Sequence, residues 1–235
     1  MAGIGGIKPD IASIESVAWI ENILDITIIS EYDAREMPDD FVYYKFPYAC
    51  SDPNCENPPR LGTEFYPINP RLVEWGYQLT KDLELDESED AINRRSKYLQ
   101  PTANHSPTVE KCSMAGGNSF WHGKMLSDWV SWWMDRWTES TSPYCITSVE
   151  EPGIAAAIHQ LGKIGRVDPQ RLMIIRVGSN FDQQHPNQTV EESLSLALQD
   201  VDHVVGMHNL HLVGWKALNQ IIQDWSNWEK GIPMN

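Results

Sequence analysis

Apolar and polar positions change period several times along the chain. From Val17 to Ser30 the run is mostly apolar and β-branched, which predicts one or two buried strands. Ahead of it, Ala2-Gly3-Ile4-Gly5-Gly6-Ile7-Lys8-Pro9 reads as a glycine-rich turn, where positive φ and close approach of a ligand to the backbone are permitted. Asp33 to Arg60 is rich in Pro, Asp and aromatics and reads as a long surface excursion. Between Asn69 and Leu83, the residues Leu72, Val73, Gly76, Leu79 and Leu83 recur at helical spacing, and Asp86 to Arg95 is an acidic-then-basic, solvated stretch.

A short strand is predicted over Thr108 to Met114, ending in the turn Ala115-Gly116-Gly117-Asn118. Gly123 to Trp137 predicts an amphipathic helix with Leu126, Trp129, Val130, Trp133 and Trp137 on one face, so most of these tryptophans belong to the core. Cys145 to Val149 is β-prone and leads through Glu150-Glu151-Pro152-Gly153 into a helix from Ile154. Leu172 to Val177 is the clearest buried strand, with Gly178-Ser179-Asn180 at its C-terminal end. Thr189-Val190-Glu191-Glu192 is a capping box opening a helix toward Leu198, and Leu218, Ile221, Ile222 and Trp225 form the apolar stripe of the last helix. Strand, turn and helix alternate without an internal repeat, which predicts an α/β fold, a sheet flanked by helices, over one domain spanning 1–235.

Composition narrows the function. With 41% hydrophobic residues the chain can fill a core, and a net charge of −15 argues against nucleic acid as a partner, since a phosphate-binding groove needs clustered Lys and Arg. No apolar run reaches the roughly 18 to 20 residues that span a bilayer. Cys50 and Cys55 are spaced so that a local bridge is sterically allowed. Asn104-His105-Ser106 and Asn187-Gln188-Thr189 are glycosylation sequons. These features lean toward an extracellular or cell-surface location and leave a cytoplasmic one open. His203, His208 and His211 invite a metal reading, but His208-Asn209-Leu210-His211 lacks a nearby third ligand with defined spacing, and no P-loop or nucleophile-elbow motif occurs, so no metal or cofactor is expected.

Ligands of open α/β sheets lie beyond the carboxyl ends of the strands, which directs attention to four groups. They are the glycine turn with Gly5 and Gly6, the segment Asn118 to Gly123 with Phe120 and Trp121, the pair Glu150 and Glu151, and Ser179-Asn180-Phe181-Asp182. Aromatic rings stack on a base, a carboxylate accepts both ribose hydroxyls, and an amide bonds a purine edge where charge collects on a leaving base. The residues alone do not choose that ligand. Glycine turns are common structural devices, acids complement a helix dipole, and Asn makes Asx-turns.

The motifs, in order, resemble those of the purine nucleoside permease family. Ala2 to Pro9 is similar to A-G-I-A-G-I-x-P, Asp33-Ala34-Arg35-Glu36-Met37-Pro38 to D-A-R-E-[IM]-P, and Gly117 to Gly123 to G-D-T-F-W-x-G. Thr147 to Gly153 resembles T-x-x-E-D-T-G, Arg176 to Asp182 resembles R-x-A-S-N-[FY]-D, and Trp225 to Pro233 fits the family's C-terminus. The chain departs from the family at Asn118, Glu151 and Pro152, where Asp, Asp and Thr are usual.

The resemblance implies a nucleoside-phosphorylase-like mixed central sheet flanked by helices. The chain corresponds to the C-terminal two-thirds of that domain and starts at the glycine turn, without the N-terminal strands. It also implies site roles. Asn180 would contact the purine and assist its departure, and Glu150, with Glu151, would bind ribose hydroxyls. Phe120 or Trp121 would line the base pocket, Gly5 and Gly6 would form the ribose and anion end, and Ser179 and Asp182, on either side of Asn180, would also bind the substrate. The implied partner is a purine nucleoside, with phosphate as an optional co-substrate. Homo-oligomers are common among the folds it resembles. Three readings stay open: N-glycosidic cleavage by phosphate or water, non-catalytic nucleoside capture for uptake, and a remnant that binds nothing.

Overall fold

In a computed structural model of the chain, residues 1–41, 43–50, 55, 58–199 and 203–233 are described. A six-stranded mixed sheet runs in the order β5-β2-β6-β7-β1-β8. Its strands are β1 (Ala2–Ile7), β2 (Val17–Asp25), β5 (Phe65–Pro67), β6 (Val109–Gly116), β7 (Tyr144–Ser148) and β8 (Ile175–Phe181). The sheet curls until β8 returns to β2, pairing Val17 with Val177 and Trp19 with Ile175. A separate hairpin is formed by β3 (Ile29–Glu31) and β4 (Lys45–Pro47).

Helices cover both faces. Adjacent residues of one strand point to opposite sides, and Ile23 and Leu24, like Met114 and Ala115, divide between two apolar clusters. One cluster lies under α1 (Pro70–Thr80) and α6 (Val204–Gln223). The other is built on α3 (Lys124–Thr138), whose Trp129, Val130, Trp133 and Trp137 are buried as the periodicity predicts. The remaining helices are α2 (Glu89–Arg95), α4 (Glu151–Lys163), α5 (Val190–Ala197) and α7 (Trp225–Trp228). The Thr189–Glu192 capping box forms at the start of α5. Among the described residues, no helix is long and apolar enough to cross a membrane and no metal-binding cluster occurs.

Several elements differ from the sequence reading. The glycine-rich segment is a strand, not a turn: β1 runs parallel to β8 through Gly3 and Gly5, and its glycines serve close approach. A Cβ on Gly5 would sit 2.2 Å from the Thr147 carbonyl oxygen on β7. The stretch read as solvated contains α2, which Ser88 caps through the Ala91 N–H, with Glu89 and Asp90 in its first turn and Arg94 and Arg95 in its last. The surface excursion holds β4 and ends in a Cys50–Cys55 disulfide, while residues 51–54 of that bridge lie outside the described residues. A second disulfide, Cys112–Cys145, joins β6 to β7. Strand β8 continues past Gly178 to Phe181: Asn180 pairs with Gly6 and Phe181 with Ile7, and Ser179 lies at the register shift between Gly178 and Asn180. The stripe predicted for the last helix faces outward at Leu218, Ile222 and Trp225, and the buried face of α6 carries Leu210, Val213 and Ala217.

Candidate functional site

Strands β6 and β7 are parallel and end together, at Gly116 and Ser148, against the flank of β1, which runs antiparallel to β7. A cleft of about 220 Å³ opens at this junction. Gly5 and Gly6 of β1 form its floor, Phe120 and Trp121 enter from the β6–α3 loop, Glu150 stands at the start of α4, and Ser179 and Asn180 come from β8. Two residues singled out in the sequence are placed elsewhere. Glu151 and Asp182 are fully buried behind the cleft and do not line it.

The floor is flat because it lacks side chains. The Gly6 N–H donates to Thr147 Oγ1 at 2.7 Å, and a Cβ on Gly6 would lie 3.1 Å from the Asn180 amide nitrogen. Above it, the one Ser179 hydroxyl proton is shared between the Gly5 carbonyl, 3.3 Å from Oγ, and Asn180 Oδ1, 3.1 Å from it. Asn180 Nδ2 donates one proton to the Phe181 carbonyl at 2.7 Å. An amide nitrogen carries two protons, so one remains for a ligand.

At the other end, Glu150 accepts from Arg176 Nη2 at 2.9 Å. Partial burial raises the Glu150 pKa, but its own backbone N–H and the Arg176 guanidinium outweigh this and hold the carboxyl below its ordinary value. Arg176 is nearly sealed and also bonds the Ile4 carbonyl and, through Nε and Nη2, Glu151. Gly3 makes room for it, since a Cβ there would lie 2.5 Å from Nη1. One buried arginine therefore fixes the direction of the cleft carboxylate.

The two aromatic residues divide their tasks. Phe120 is exposed and offers a free ring face, whereas Trp121 is buried with its ring 6.0 Å from Tyr144. Helix α5 roofs the cleft through Ala197 and is held down by His122, whose Nε2 lies 2.8 Å from Ser193 Oγ. Burial pushes the His122 pKa down to about 4, so this contact is uncharged at neutral pH.

Sequence reasoning missed Arg176, Ser148 and His203. Arg176 stood inside a quoted motif without a role, and its function depends on acids 25 and 26 residues away. Ser148 lines the cleft with a buried hydroxyl that has no partner, and His203, at the start of α6, lines it from the roof side. Asn118, one of the departures from the family pattern, is exposed and does not line the cleft.

Similarity to known proteins runs along the whole chain. The profile of the family described as "Purine nucleoside permease (NUP)" matches residues 1–233. A probable purine nucleoside permease of Schizosaccharomyces pombe is 30% identical over 97% of this chain and 68% of its own length. A purine nucleoside permease of Candida albicans is 24% identical over 98% of this chain, which spans 58% of that relative. Among solved structures, a 5′-methylthioadenosine/S-adenosylhomocysteine nucleosidase from Neisseria meningitidis aligns with TM-score 0.46 and 11% identity over 94% of this chain and 67% of that one. A uridine phosphorylase isoform from Schistosoma mansoni aligns with TM-score 0.46 and 8% identity over 96% and 59%. Given a family profile that runs from the first residue to Pro233, this chain belongs to the purine nucleoside permease family.

Proposed function

We propose that the cleft binds a purine nucleoside and supports cleavage of its N-glycosidic bond. The observation that carries this reading is the convergence on one cleft of a carboxylate, an amide with a free proton, an exposed ring and a side-chain-free floor. Glu150, held ionised by Arg176, accepts the ribose hydroxyls, and the unpartnered Ser148 hydroxyl adds a donor beside it. The base lies against Phe120 with its N7 edge toward Asn180. On cleavage the C1′–N9 bond breaks and its electron pair moves onto the purine. The free Asn180 N–H stabilises the charge gathering there, and water or phosphate takes the sugar. The family name favours a second reading, capture of the nucleoside for uptake without turnover.

Calorimetry with inosine and adenosine, combined with chromatography for released base with and without phosphate, separates the two. Binding with release of free base supports cleavage, and binding without release supports capture. No binding of either nucleoside rejects both. Asn180→Ala is expected to lower base release by about 10²-fold or more, the cost typical of removing one donor aimed at developing charge.

A further inference from the structure

Past Asn180 and Ala197, which also wall the nucleoside cleft, the surface dips into a second hollow of about 50 Å³. Arg94 and Lys97 reach it from the end of α2, and His185 and Gln188 from the loop between β8 and α5. The chain carries 33 acidic and 18 basic residues, yet among the described residues no carboxylate lines this hollow. Cations at the end of α2 also complement its dipole, but the dipole asks for neither a facing hollow nor a histidine and an amide from a distant loop.

We infer that this hollow binds a phosphate-type oxyanion, at a place separate from Gly5 and Gly6 of the cleft. Lys97 is exposed and makes no ion pair among the described residues, so its ammonium is free to meet an anion. Arg94 is already paired with Asp90 and adds less net charge. His185 Nδ1 accepts from the Asn187 N–H at 3.3 Å, which leaves Nε2 to carry the proton of the neutral ring and to donate it. The charge on Lys97 is felt at this imidazole: burial first, and Lys97 second, hold the His185 pKa below its ordinary value. Glu192 of α5 opposes them, but its carboxylate is engaged by the Thr189 N–H at 2.8 Å. Tyr98 brings no negative charge, since burial holds its phenol well above the ordinary pKa and its hydroxyl donates to the Gln183 carbonyl at 2.6 Å.

Size and donor type favour phosphate over a carboxylate. At roughly 10–15 Å³ for each water-sized sphere, a hollow of about 50 Å³ holds about four, the number of oxygens on phosphate. A flat carboxylate suits an arginine fork, but Arg94 is taken by Asp90, and a lysine flanked by neutral donors suits a rounder ion. An ion held here bridges α2 to α5, the roof of the cleft.

Calorimetric titration with inorganic phosphate, without nucleoside and in a phosphate-free buffer, tests this. Saturable binding is expected, with slower hydrogen exchange in both α2 and α5. Lys97→Met and His185→Phe are each expected to weaken it about tenfold or more, the worth of one hydrogen bond to a charged group. His185→Phe keeps a ring against the edge of Tyr98. Lys163→Met, which removes the same charge from the last turn of α4, is expected to leave binding unchanged. Glycerol phosphate in a parallel titration separates the sources: equal binding assigns the hollow to a phosphate ester, and binding of inorganic phosphate alone assigns it to the free ion. No saturable binding of either overturns the inference. So does binding that survives both Lys97→Met and His185→Phe, that Lys163→Met weakens equally, or that leaves exchange in α2 and α5 unchanged. None of these outcomes bears on the nucleoside cleft, which is tested with nucleoside.

Discussion

Two carboxyls lie buried beside the cleft, Glu151 at the first turn of α4 and Asp182 just after β8, and their surroundings differ in one respect. Glu151 takes its hydrogen bonds from a guanidinium, through Arg176 Nε and Nη2. Asp182 takes its bonds from hydroxyls, Ser127 Oγ at 2.7 Å and Tyr144 Oη at 2.9 Å. Each retains one oxygen without a partner. The donor's charge is thus what separates them. A cation in contact balances the buried Glu151, whereas for Asp182 burial dominates and pushes the pKa up to about 7. The first carboxyl belongs to a fixed electrostatic frame for Glu150, and the second changes protonation near neutrality.

The largest effect is expected from removing the cation. Arg176→Met leaves Glu151 buried without its counter-charge and frees Glu150, and should cost about 3–5 kcal/mol in urea unfolding, with loss of nucleoside binding. Asp182→Asn should give an effect whose size depends on pH. Between the ordinary Asp value of 3.8 and the folded value of about 7, the native state holds a proton that the unfolded state has released, so wild-type stability falls as pH rises through that window. The variant lacks this slope, and its unfolding free energy from urea titration should exceed that of the wild type by on the order of a few kcal/mol above neutrality and converge with it in acid. A wild-type profile that rises from pH 4 to 7 through this residue would contradict the contrast.

The smallest stability effect is expected at Glu150, whose side chain is largely exposed. Glu150→Gln should change unfolding free energy by less than about 1 kcal/mol, as for other exposed ion pairs. Its nucleoside affinity should fall all the same. An unchanged affinity would detach Glu150 from ribose recognition.

Much of the fold was legible where a period was strong. The tryptophans of α3 repeat every three or four residues, and Thr189 and Glu192 satisfy one another's backbone, so both features are local. Strand β1 was not legible, because Gly3, Gly5 and Gly6 have no side chains to alternate and their reason for being glycine lies on β7 and β8. Helix α2 was hidden by its charges. It has one buried residue, Ala91, and is anchored by a long-range bond from Ser88 N–H to Glu15 Oε2 at 2.8 Å. In the cleft, the residues gathered there follow recognisable strand ends, while the wiring behind them does not. Nothing near Arg176 in the chain announces that it will span Glu150, Glu151 and Ile4.

The Cys112–Cys145 bond closes a covalent ring around everything between β6 and β7, including all of α3 and the loop that carries Phe120 and Trp121. With 33 residues of separation, such a ring restricts the open chain by about 3–4 kcal/mol. That contribution belongs to the protein's history as much as to its final form. A ribosome delivers Cys112 well before its mate, so the knot can be tied only after the tryptophan helix has been made, and only where an oxidant waits. A host that keeps thiols reduced would make the same polypeptide with its tryptophan cluster on an untied loop.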